Sequence, residues 1–387
     1  MKIAIYLDEV NQAIDNSMQW SVMQHIGKEL AKKNEIILID PIKLGSKESL
    51  SRIKKQNYDI LFTYNKTGIN LIEDSTGENL MSLLEVPQIS WLVEHPVTFY
   101  DGYRKTNSPN RNYIFPNSAH NIFAEKMGLQ GRYSNLLFAS NEKKITKNFK
   151  DRSFDICIAA QWRGDANTNA FWESMTGFEK IFFEEINQLH NTKNGNDVFL
   201  AFLTVAEYYN IPQENINDFS LALKALYWFA RKTERIKMVQ DLVATGLSIL
   251  LVGGDQWKAV LPNYDNVIFA NPCTHQKLIE YYMQSRAVAS TNCFNGANER
   301  TFDAMSCGSI SISENSPTLM KYFNDLKDII FYERNNAKLK SEIICDLLSD
   351  DLNGELVGEN GREIFMRDHT WASRVNDLSI LMSKIKF

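Results

Sequence analysis

Short apolar runs alternate with amphipathic stretches along almost all of this chain, and the alternation runs through twice. Lys2–Leu7, Glu35–Asp40, Asp59–Tyr64, Gln88–Leu92, Asn112–Phe115 and Tyr133–Phe138 read as strands, with helical patterns such as Trp20–Lys32 between them. The pattern restarts at Phe154–Ala160 and continues through Ser248–Gly253, Asn266–Phe269, Ala287–Ser290, Ser309–Ser313 and Asp328–Phe331. Strands separated by helices pair in parallel through right-handed crossovers, so the expected class is α/β with two open sheets. A chain of 387 residues is also too long for one ordinary core.

The expected first domain is 1–145 and the second 150–369, with the polar, basic Lys144–Arg152 joining them. The stretch from Asn167 to Ala244 has no strand signal and is rich in aromatic side chains, among them Phe171, Trp172, Phe182, Phe183, Tyr208 and Trp228. It predicts several helices inserted after the first strand of the second half. Its aromatics suit a helical core, and an aromatic platform for sugar or a partner surface is the alternative. At the C-terminal end, Val375, Leu378, Leu381 and Met382 recur at helical spacing after the punctuation of His369-Thr370-Trp371.

Bulk chemistry narrows the partners. A net charge of -5 offers no global attraction to nucleic acid or anionic lipid, so at most peripheral membrane contact is expected. The five apolar residues between Lys2 and Asp8 are too few for a signal peptide core, which predicts a cytoplasmic protein. Five cysteines with no C-x-x-C pair fit reduced thiols, and the scattered histidines form no metal-ligand spacing, so no metal and no resident cofactor are expected. Neither G-x-G-x-x-G nor G-x-x-x-x-G-K-[ST] occurs, which disfavours a nicotinamide dehydrogenase and a P-loop enzyme.

Ligands of open parallel sheets bind outside the carboxyl ends of the strands, and that rule selects a few loops. Asn298 is a good helix N-cap, followed by Glu299, Arg300, Thr301 and Asp303, with Gly308 ending the helix before a strand. The helix start and Arg300 suit a phosphate, and the carboxylates suit sugar or ribose hydroxyls. Arg163, just past a strand, is a second candidate for a diphosphate. Gly253 and Gly254 permit a tight turn or a close backbone approach to a ligand. In the first half, Glu94-His95 suits a general acid or base; a histidine bonded to neighbouring backbone is the structural alternative. Asp8 and Asp15 are further candidate bases, and N-capping of the next helix is their alternative.

Arg300-Thr301-Phe302-Asp303-Ala304-Met305-Ser306-Cys307-Gly308 resembles the R-x-F-E-A-M-A-C-G motif of group-1 GT-B glycosyltransferases, and within them of the spore-maturation CgeB-like proteins. The late Gly361-Arg362 through His369-Thr370-Trp371 resembles their G-R…H-T-(W/Y) pattern, and Trp91–Pro96 resembles their W-x-x-(D/E)-x-P stretch. The likeness spans Leu247–Ser383 and is weaker in the first half. It implies two Rossmann-like domains facing a cleft, a helical insertion in the C-terminal one, and a last helix, about 370–387, packed back on the first. It also implies a metal-independent transfer of sugar from a nucleotide-sugar donor to a hydroxyl acceptor on a glycan, lipid or protein. Asp303 then matches the acid that holds the donor ribose and Arg163 the arginine on its phosphates. Asn295 stands where many retaining members carry a glutamate, so Glu299 takes that role, or the enzyme inverts with Asp8, Asp15, Glu94 or His95 as base. A non-catalytic binding protein and a sugar-nucleotide epimerase are the alternatives on the same fold.

Overall fold

Among the described residues, twelve strands build two parallel sheets of six. The computed structural model describes residues 1–7, 18–40, 46–65, 80–105, 107–161, 173–192, 197–261, 264–291 and 296–385. In the first sheet the strands are β1 (Lys2–Tyr6), β2 (Glu35–Ile39), β3 (Ile60–Tyr64), β4 (Gln88–Trp91), β5 (Arg111–Phe115) and β6 (Arg132–Asn135). Their order is β2-β1-β3-β4-β5-β6, with Ala4 level with Ile37 on one side and Leu61 on the other. The second sheet holds β7 (Phe154–Ala159), β8 (Ile249–Val252), β9 (Val267–Ala270), β10 (Ser285–Ser290), β11 (Ile310–Glu314) and β12 (Ile330–Tyr332), ordered β12-β11-β10-β7-β8-β9. Each expected strand is present, its ends displaced by a few residues at most, because hydrogen-bonded pairing rather than apolar content sets where a strand stops.

The chain divides into two compact units, Met1–Leu137 with Trp371–Phe387, and Phe138–Thr370. In the first, helix α1 (Met18–Leu30) and the last helix, α12 (Trp371–Ser383), pack together, and the Trp371 ring meets Trp91 edge-on at 6.1 Å. The other described α-helices of this unit are α2 (Ser46–Lys54), α3 (Tyr100–Lys105) and α4 (Ser118–Lys126).

In the second unit, α5 (Gly177–Thr192), α6 (Val198–Tyr208) and the long α7 (Ser220–Val243) lie between β7 and β8. Their aromatics pack on one another: Phe182 touches Phe183, Phe202 and Phe219 with ring centroids 5.4–5.9 Å apart. The helical-core reading of this segment therefore holds for these rings. Met238, Val239, Leu242 and Val243 then leave the insertion and cover Ile156, Ile158, Ile249 and Leu251 of the sheet. Thus α7 serves twice, first as insertion and then as the crossover between β7 and β8, so the insertion ends inside the helix. Beyond β9 come α8 (His275–Met283), α9 (Glu299–Ser306), α10 (Ala337–Ser349) and α11 (Asp351–Asp368). Gly361 on α11 is required by packing: a Cβ there would sit 2.5 Å from the Asp328 carbonyl oxygen.

A buried ionic cluster fastens the insertion to the sheet. Arg334 bonds Glu314 at the end of β11 and lies 2.8 Å from Glu234 of α7, while His190 of α5 bonds the same Glu234. Burial alone would raise the Glu234 carboxyl, but the Arg334 guanidinium and His190 beside it hold it below its ordinary range.

Candidate functional site

In the second sheet the chain runs from β7 outward to β9 and then returns to the opposite side of β7 to lay down β10. The two neighbouring strands leave in opposite directions, so their crossovers cover different faces and a crevice opens at their carboxyl ends. A small, open concave space lies there. Ala160, Ser290 and Thr291 line it from the strand ends, Arg235 and Met238 from α7, and Arg300 from α9.

Helix α9 is placed by its cap. The Asn298 side chain accepts from the Arg300 backbone N–H at 2.8 Å and donates to the Thr291 carbonyl at 3.2 Å, which fixes the helix start against the end of β10. The helix closes at Gly308, whose φ of +64° suits glycine. Among the described residues the Arg300 guanidinium makes an ion pair with Glu299, at 3.7 Å, and its Nε has no hydrogen-bond partner. The hydroxyls of Ser290 and Thr301, both buried, have none either. A buried polar group left unmade costs about 1–3 kcal/mol, so a ligand in the crevice that brings oxygen acceptors to Arg300 and Ser290 recovers part of that energy; Thr301 does not line the crevice. The guanidinium, the Ser290 hydroxyl and the helix N-terminus all favour an anion.

Asp303, one turn further along α9, is engaged differently. One carboxylate oxygen accepts from the Ser140 hydroxyl at 2.5 Å, and the other faces His275 Nε2 at 2.9 Å. Burial lowers the proton affinity of the His275 ring, but the hydrogen bond and charge of Asp303 outweigh it; Glu299 adds to the rise and Lys143 opposes it, leaving the imidazole above its ordinary value.

The glycines after β8 serve packing. A Cβ on Gly253 would lie 2.1 Å from the Ala160 carbonyl oxygen, and the Trp257 indole that donates to that oxygen fills the adjoining space. Both Gly253 and Gly254 donate their N–H groups to the Ala270 carbonyl, so these amides are committed within the sheet.

In the first unit, Glu94 and His95 stand just past β4. His95 is buried, its Nδ1 accepts the Val97 N–H at 3.1 Å, and its ring lies edge-on to His120 and Phe123. This is a cap for the short turn Pro96–Thr98. The half-buried Glu94 has no hydrogen-bond or ion-pair partner among the described residues. Asp8, Asp15, Arg163 and Asn295 lie outside the described residues.

Residues 231–379 match the model of the glycosyl transferase-like family. That segment runs from the middle of α7 through the crevice residues to α12. Solved structures match the whole chain. Sucrose-phosphate synthase from Thermosynechococcus elongatus covers 100% of this chain with 99% of its own, at 12% identity and a TM-score of 0.60. An alpha-glucosyltransferase in complex with UDP-glucose and DNA covers 99% with 99% of its own, at 11% identity and a TM-score of 0.58. Anabaena HepE in complex with UDP and glucose covers 99% with 99% of its own, at 11% identity and a TM-score of 0.54. The fold is GT-B. No curated protein matches significantly. These matches do not single out the spore-maturation-like branch.

Three residues at or beside the crevice were not singled out by the sequence: Arg235 and Ser290, which line it, and His275, which contacts Asp303 on the helix that borders it. Arg235 was hidden in a helix read as insertion; it donates to the Gln161 carbonyl at the end of β7 and lines the crevice. Its signal was available in the spacing, since only the last turns of α7 can cover the sheet before β8. Ser290 closes β10 and carries no distinctive pattern. His275 is the first residue of α8, and nothing in its neighbourhood announces Asp303, which is 28 residues away.

Proposed function

We propose that the protein transfers a sugar from a uridine diphosphate donor to a hydroxyl acceptor, with the donor diphosphate in the crevice between the ends of β7 and β10. The observation that supports this most directly is the pair of unpartnered donors that line the crevice, Arg300 Nε from the start of α9 and the Ser290 hydroxyl from the end of β10. They lie within the segment that matches the glycosyl transferase-like family. The UDP and UDP-glucose complexes of the similar structures support the choice of nucleotide. Arg300 and Arg235 with the helix terminus neutralise the departing diphosphate, which is why we read the transfer as metal-independent. Arg163 joins them in this reading.

For an inverting reaction the acceptor base comes from Glu94, Asp8, Asp15 or His95. Glu94 is the strongest described candidate, because its carboxylate is uncommitted whereas His95 caps a turn. Cytoplasmic location fits a donor made from nucleoside triphosphate. Among the described residues no helix is long and apolar enough to cross a membrane.

Thermal unfolding with UDP, GDP, CMP and ADP tests the reading. UDP at about 100 times its Kd should stabilise the fold by roughly 2.7 kcal/mol, and the other bases less. No shift with any nucleotide would remove the donor site. UDP binding without release of sugar to any acceptor would indicate a binding protein, and conversion of the donor alone an epimerase. Arg300→Ala should weaken UDP by about tenfold to a hundredfold, the worth of a charge-assisted hydrogen bond, and leave uridine binding almost unchanged. Calorimetry with the two ligands separates these effects.

A further inference from the structure

We infer that His275, and not Asp303, is the side chain that meets the ribose hydroxyls of the bound nucleotide, and that it decides between ribo- and deoxyribonucleotides. The inference rests on the nucleotide reading above. Asp303 follows Arg300 by three positions, so both project from one side of α9 and the ribose end of a diphosphate held by Arg300 lies near Asp303. Yet the Asp303 side chain is only 5% exposed, and each of its oxygens already accepts a hydrogen bond, one from Ser140 and one from His275, so what keeps a ribose from it is the cover over it. The imidazole that covers it is 19% exposed.

The ring is held at one end only. Nε2 is bound to Asp303, while Nδ1 has no hydrogen-bond partner among the described residues and is not among the buried unpartnered atoms. Nδ1 is therefore the solvent-side atom of a ring whose plane Asp303 fixes. A neutral ring with its proton on Nε2 accepts at Nδ1, and an imidazolium donates there; a hydroxyl answers to either, so the contact survives both protonation states. Asp303 is the positioning residue behind it, and Ser140 orients Asp303 in turn. A site that hydrogen-bonds a hydroxyl rejects the analogue lacking it, because its own polar atom is left unpaired.

Calorimetric titration of the full chain with UDP, 2′-deoxy-UDP and 3′-deoxy-UDP tests this. The wild type should favour UDP by about tenfold or more over at least one deoxy analogue, the worth of one lost hydrogen bond. His275→Ala should bring that ratio close to one, while UDP keeps its dependence on Arg300. His275→Gln, whose amide can keep a bond to Asp303, should show the same loss of preference and serves if the alanine variant does not fold. Asp303→Asn should reduce the preference partially. An unchanged preference in His275→Ala, or no preference in the wild type, overturns the inference and leaves the UDP site standing. A loss of UDP and deoxy-UDP affinity in equal measure assigns His275 to phosphate and also overturns it. No UDP binding by the wild type removes both.

Discussion

At the residue scale the same short helix contains a cap that its sequence carried and a carboxylate, Asp303, whose partners only the fold supplies. The cap at Asn298 was legible because capping depends on the backbone of the next few residues only. The environment of Asp303 was not, because Ser140 and His275 reach it from distant positions. The pair makes a prediction about pH. The His275 imidazole is raised in the folded chain, so its stabilisation is fully present below the ordinary value of about 6.5 and fades as pH rises through the folded value. Urea unfolding of wild type and His275→Gln should differ most below about pH 6.5 and converge in the alkaline range. Asp303, Glu299 and Lys143 are the charged groups acting on this ring, and a difference constant across that range would contradict the coupling.

At the scale of elements, apolar runs and helical patterns located the strands of both sheets: the central strands are buried on both faces and need an apolar run wherever they lie, while the partly buried edge strands β2, β6 and β9 keep enough apolar residues to be read. The double duty of α7 was not legible. An apolar stripe looks the same whether it covers the insertion or the sheet: Leu223 and Leu226 are buried outside the core cluster of the sheet, while Met238 and Leu242 belong to it. Close packing of α11 gives a test at this scale. Gly361→Ala forces a methyl to 2.5 Å from the Asp328 carbonyl, where backbone must give way, and should destabilise by about 1–3 kcal/mol in urea unfolding. Gly128→Ala, with a φ of +68° and open space around the new methyl, is the contrast: its cost is backbone strain of about 1–2 kcal/mol without a clash.

At the scale of the whole molecule, two ties between distant stretches decide which segments stand together. Arg334 neutralises Glu234 and Glu314 inside the second unit, and Arg334→Met should cost about 3–5 kcal/mol because two carboxylates lose their buried partner. Equilibrium unfolding measures this, and a loss below about 1 kcal/mol would mean that the cluster carries little net stabilisation. The second tie is Trp371, which brings the C-terminal helix to Trp91 in the first unit. The sequence by itself determined the two sheets, the helical insertion and the capped start of α9, because each follows from residues near in the chain. Only the tertiary structure decided that the chain reverses between β7 and β10, that Arg235 joins Arg300 in the crevice formed there, and that His275 seals Asp303. Those outcomes depend on burying charge and hydrogen-bonding groups against partners tens of residues away, and local pattern carries no record of such partners.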